Sequence, residues 1–104
     1  MIEESEVERA VQWLVENADK AAQARANREY MDEYRKTLRA TIMSENKDQP
    51  LAAQERDALC DARYRDHLQA FKAAVHEDEK MRWLRIAAET KISVWQSQQR
   101  AHRP

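Results

Sequence analysis

The chain contains no glycine. Glycine is the usual residue for tight turns, positive φ and backbone that closely approaches a phosphate. Its absence therefore argues against P-loops, dinucleotide folds and hairpin-rich β proteins. Prolines stand only at Pro50 and Pro104, so little in the sequence breaks a helix. The chain reads as all-α with few turns.

Composition sharpens this reading. Of 104 residues, 42% are hydrophobic, but alanine makes up much of that share, so large apolar side chains are sparse. Alanine, glutamate, lysine, arginine and glutamine are strong helix formers, and the acidic and basic residues nearly cancel to a net charge of -1. This combination predicts long amphipathic helices with thin apolar stripes. The single Cys60 excludes an internal disulfide and suits a reducing compartment. No apolar run reaches the roughly 18 residues of a membrane span, and the acidic start is unlike a signal peptide. The expected location is the cytoplasm, with no membrane partner.

Ser5 followed by Glu8 has the spacing of a capping box and predicts the start of helix 1. From there Val7, Val11, Leu14, Ala18, Ala22, Ala26, Tyr30, Tyr34, Leu38 and Ile42 recur at three or four residues, mostly four, as one helical face. The polar stretch 44–50 ends in Pro50, suited to the first residue of a new helix. One domain over 1–104 follows, with helix 1 at about 5–43, a turn at 44–50 and a second helical stretch at about 51–99. The second stretch carries Tyr64, Leu68, Phe71, Val75, Met81, Leu84, Ala88, Ile92 and Trp95. Pattern leaves open a break near 60–61, which makes room for a short extra helix after the turn. The segment from Gln96 is expected to fray.

Charge is distributed in blocks. Residues 1–19 carry net -5, 20–43 net +3, 44–79 net -4 and 80–104 net +5. Reversal at the turn lays opposite signs side by side, so the pattern predicts a long antiparallel helical hairpin and selects orientation more than it supplies stability. A two-helix hairpin has one seam and leaves much of each helix wet. The three tryptophans and three tyrosines exceed what one seam covers, which predicts a homodimer in which two hairpins form a helical bundle.

Several constellations invite chemistry. His76 to Lys80 is not a zinc motif, because Lys80 stands where a second histidine belongs, so no metal and no cofactor is expected. The cluster instead reads as solvated, or Asp78 as a polar layer facing Arg25 or Arg28 that sets helix register. Cys60 and His67 are seven residues apart, roughly 10 Å on a continuous helix and too far for activation, so Cys60 reads as a small packing residue. No catalytic residue is expected. Arg35, Lys36, Arg39, Arg82 and Arg85 are candidate nucleic-acid or partner contacts, with Tyr30, Tyr34 or Trp83 available for stacking, and Trp95 is a candidate partner anchor.

The stretches Tyr30 to Ala40, Lys80 to Glu89 and Val94 to Ser97 resemble small uncharacterised helical proteins of tailed phages and prophages, often encoded near single-strand annealing recombinases and exonucleases. That resemblance implies no catalytic residue. It points to a non-enzymatic accessory or adaptor for DNA recombination or replication that binds a protein partner and contacts single-stranded DNA. The alternative is an inhibitor of a host nuclease or CRISPR complex acting through its charged surface.

Overall fold

A computed structural model describes residues 1–103. It is all-α, with α1 at Glu4–Glu45, α2 at Leu51–Cys60 and α3 at Ala62–Ala101, and no strand among the described residues. No helix in it is long and apolar enough to cross a membrane. The short extra helix is therefore present as α2, and the chain breaks at Asp61.

The reversals are built without left-handed backbone, as a chain lacking glycine requires, and no described residue has positive φ. After α1 the Asn46 N–H donates to the Met43 carbonyl and Gln49 N–H to Asn46. Pro50 lies at φ -56° and ψ 149°, one residue before α2, rather than as its first residue. Its carbonyl accepts from Gln54 N–H, and the Gln54 side chain donates to the Gln49 carbonyl at 2.8 Å. Asp61, also extended at φ -67° and ψ 138°, caps both neighbours. Its N–H donates to Ala58 at the end of α2, and its Oδ1 accepts from Arg63 N–H at 2.8 Å in the first turn of α3.

The expected capping box does not form. α1 begins a residue earlier, and the Glu3 carbonyl accepts from both Glu6 and Val7 N–H, so Ser5 already lies inside the helix. The C-terminal end is more ordered than its composition suggests, with α3 helical to Ala101 rather than frayed from Gln96.

Two compact units are present, one formed by Met1–Ala24 with the segment from Asp78, the other by Arg25–Glu77. In the first, the Ile2 N–H donates to Gln98 Oε1 at 3.1 Å, so the start of α1 lies beside the end of α3. In the second, Arg63 at the start of α3 bonds Glu45 at the end of α1. In each unit α1 thus runs antiparallel to α3, the orientation that the charge blocks favour.

The buried face of α1 differs from the one read in the sequence. In the first unit it is Val7, Ala10, Leu14, Asn17, Ala21 and Ala24; in the second, Arg28, Met31, Arg35, Leu38 and Ile42. These alternate by three and four residues. A 3.5-residue spacing drifts only about 20° per seven residues on a straight helix, whereas each step of four advances about 40°. The stripe of fours therefore winds away from the seam, leaving Ala18, Ala22 and Ala26 exposed and Tyr30 65% exposed. In α3 the expected Tyr64, Phe71, Val75, Met81, Ala88, Ile92 and Trp95 are buried or half-buried; the seam also takes in His67, Ala74 and Asp78, while Leu68 and Leu84 are exposed. The second unit's core is Ile42, Ala58 and Tyr64, with Leu38 and Met43 packed on it. Ala58, wholly buried, lets α2 approach closely; Cys60 is exposed and does not serve as a packing residue.

Candidate functional site

Within the Arg25–Glu77 unit, a surface cleft of about 410 Å³ is lined by Arg35, Lys36, Arg39, Ala40, Met43 and Tyr64. It gathers three of the cations singled out in the sequence, because positions 35, 36 and 39 project from adjacent turns of α1. α3 adds Tyr64, which belongs to the buried core and lines the inner side of the cleft.

Each cation is anchored differently. Arg35 occupies a seam position, pairs with Asp32 at 3.0 Å and lies 5.9 Å from the Phe71 ring centroid, so its apolar stem fills the seam while the charge reaches out. Lys36 pairs with Glu33 at 3.2 Å, both well exposed. Arg39 reaches Glu55 of α2 only at 3.6 Å, and its Nε is buried without a hydrogen-bond partner. Of the three, Arg39 has the longest ion pair, so its terminal guanidinium nitrogens are the most readily given to an added anion. Exposed pairs of this kind are worth about 0.2–1 kcal/mol and exchange readily with a competing ligand. The cleft can hold an anionic group beside an apolar one.

A second polar cluster borders the same unit's turn. Arg63 donates to both oxygens of Glu45, at 2.9 and 2.6 Å, and to Asp61 at 3.1 Å. Hydrogen bonding to the guanidinium holds the Glu45 and Asp61 carboxyls below the usual carboxylate range and raises Arg63. Farther back along α1, Tyr30 and Tyr34 stack at 5.9 Å between centroids, and the Tyr34 ring meets His67 edge-on at 5.4 Å. His67 Nε2 lies 2.7 Å from the Met31 carbonyl and must donate, since a carbonyl only accepts. That imidazole is a structural tie between α1 and α3.

The remaining sequence candidates belong to the other unit or to other faces. Arg82 pairs with Glu79 at 3.3 Å and stands 5.4 Å from the ring of the exposed Trp83. Arg85 is 3.9 Å from Glu89. Trp95 is half-buried and borders a cavity of about 560 Å³ with Gln99, Arg100 and Arg103. Asp78 is buried, Arg25 pairs with Glu29 at 2.9 Å, and Asp78, Arg25 and Arg28 each have a polar or electrostatic partner. Among the described residues no group of three or more His, Cys, Asp or Glu side chains is placed to hold a metal ion.

Sequence reasoning missed Tyr64 on the inner side of the cleft and Arg63 as the clamp. The usable signal for Arg63 was its position two residues after Asp61, where a helix cap brings the carboxylate back over it. No family model, curated protein or solved structure matches this chain.

Proposed function

We infer that this chain is a non-enzymatic helical adaptor that homodimerises and binds a protein partner, as an accessory to phage DNA recombination or replication. The supporting observation is where its large apolar side chains stand. Val15 is 69% exposed and Trp83 61%, both outside the helix seams, and Tyr30 is similarly placed. A chain with sparse large apolar residues that leaves these outside its seams has surfaces suited to binding. The recombination setting rests on the resemblance of the segments containing Tyr30 to Ala40 and Lys80 to Glu89.

Contact with single-stranded DNA is supported by the Arg35, Lys36 and Arg39 cleft, where phosphate meets cations beside the apolar Ala40 and Met43. Affinity capture from phage-infected cells tests the adaptor reading. Recovery of recombination or replication proteins supports it, whereas recovery of a host nuclease or CRISPR complex favours the inhibitor reading. Retention on single-stranded DNA at low salt, lost in the triple variant Arg35→Glu, Lys36→Glu, Arg39→Glu, tests the nucleic-acid component. Absence of retention in the unaltered protein sinks that component.

A further inference from the structure

In the unit formed by Met1–Ala24 and the segment from Asp78, α1 and α3 leave an apolar groove of about 240 Å³. Trp13 forms one wall and Leu84 the other, and the small side chains of Ala10 and Ala88 keep the floor low. Trp13 is half-buried, and Leu84 is 41% exposed. Glu6 and Arg9 of α1 and Lys91 of α3 also line it.

The face of α1 that enters this groove at Glu6, Arg9 and Trp13 continues beyond it to Glu16 and Lys20, and its order identifies the occupant. At 100° per residue, Glu6, Arg9, Trp13, Glu16 and Lys20 fall within an arc of about 80° on α1. Along the helix they read acid, base, tryptophan, acid, base. Reversed end to end, that series is its own complement. We propose that the groove is covered by a second copy of this chain, with the two α1 helices antiparallel about a two-fold axis at Trp13. Glu6 then meets Lys20 of the second copy, seven residues from the axis on each side, and Arg9 meets its Glu16. A parallel arrangement sets Glu6 against Glu6 and Lys20 against Lys20, so charge selects the antiparallel one. Among the described residues Glu6, Arg9 and Lys20 form no ion pair, and Glu16 accepts only a neutral bond from Gln12 at 2.7 Å. The contact is isologous and closes at two copies. Its apolar centre, Trp13 over the groove, supplies affinity, and the charges fix the register.

This proposal rests on the homodimer part of the function inferred above and specifies its face and direction. Sedimentation velocity at low salt, from one to several hundred micromolar, tests it with Lys20→Glu and the swap Glu6→Lys, Lys20→Glu, which alter surface charges only. The unaltered chain is expected to dimerise, Lys20→Glu to weaken association about tenfold, and the swap to restore it. A monomer throughout overturns both the proposal and the homodimer. A dimer indifferent to Lys20→Glu, or one that the swap fails to rescue, overturns this interface and leaves the homodimer standing. Capture of protein partners is a separate measurement, so the adaptor reading fails or stands independently.

Discussion

Arg63 grips both carboxylate oxygens of Glu45, at 2.9 and 2.6 Å, tying the first turn of α3 to the last residue of α1. With Asp61 on its other side, the guanidinium lies between two carboxylates and holds both below their ordinary values of 4.5 and 3.8. A lowered folded-state value means that the stabilisation is fully present above the unfolded value and is lost as pH falls through the folded one. The clamp therefore works at neutral pH and fades below about pH 4.5. Arg63→Gln is expected to melt lower than the unaltered chain at pH 7, with the difference closing toward pH 3. Thermal unfolding followed by circular dichroism across that range checks this, and a gap that widens in acid contradicts it.

Ile42 and Ala58 meet in the only cluster of fully enclosed side chains in the Arg25–Glu77 unit's described core. Ile42→Ala removes a side chain that is 1% exposed and is expected to cost about 2–5 kcal/mol. Ala58→Leu forces extra methylenes between α2 and α1, at about 1–3 kcal/mol. Urea unfolding reads both, and a neutral Ala58→Leu shows that α2 is not docked there.

The course of the seam on α1 is separable by substitution. Leu14 lies on the three-and-four seam, whereas Val15 beside it is exposed. Leu14→Ala is expected to lower stability by about 1–2 kcal/mol as partial burial is lost, and Val15→Ala to change it by less than about 0.5 kcal/mol. Equal effects contradict the seam described above; the comparison belongs at concentrations where the chain is monomeric.

The same pair of residues shows what was legible in the sequence. Long helices, one reversal ending at Pro50 and the antiparallel sense follow from absent glycine, helix-forming composition and alternating charge blocks, all additive properties of many residues. On α3 the seam was largely legible, from Tyr64 and Phe71 to Met81, Ala88 and Ile92, whereas on α1 only Val7, Leu14, Leu38 and Ile42 of the face read from the sequence lie in it, because the other members are not the most apolar residues present. Asn17, Arg28, Arg35, His67 and Asp78 lie within it, while Val11, Val15, Tyr30 and Leu68 lie outside. A pattern search that follows steps of four on α1 therefore leaves the seam between Ala18 and Tyr34, where its members are exposed. The cleft was half legible: Arg35, Lys36 and Arg39 share a helix and so a neighbourhood, but Tyr64 reaches them only through tertiary packing.

Asp78 is a buried acid in the seam of α3, and it has a partner. Asp78→Ala leaves that partner unsatisfied and is expected to cost about 1–3 kcal/mol. Replacement by a residue that fills the seam, Asp78→Leu, exchanges a polar contact for apolar packing and is expected to cost less than the alanine variant. Paired denaturation curves decide; an alanine variant as stable as the parent removes Asp78 from any structural role.

If single-stranded DNA occupies the cleft, its salt dependence reports how many cations it engages. Neutralising a phosphate on a single strand contributes a slope of about -0.7 per contact in log affinity against log salt. Engagement of Arg35, Lys36 and Arg39 together gives a slope of roughly -2. Arg39→Gln is expected to remove about one third of that slope and to weaken binding more than Lys36→Gln. Arg39 holds Glu55 at 3.6 Å, whereas Lys36 holds Glu33 at 3.2 Å, so an incoming phosphate displaces less at Arg39. Fluorescence anisotropy of a labelled oligonucleotide over a salt series measures both quantities. A slope unchanged in Arg39→Gln places the DNA elsewhere on the surface.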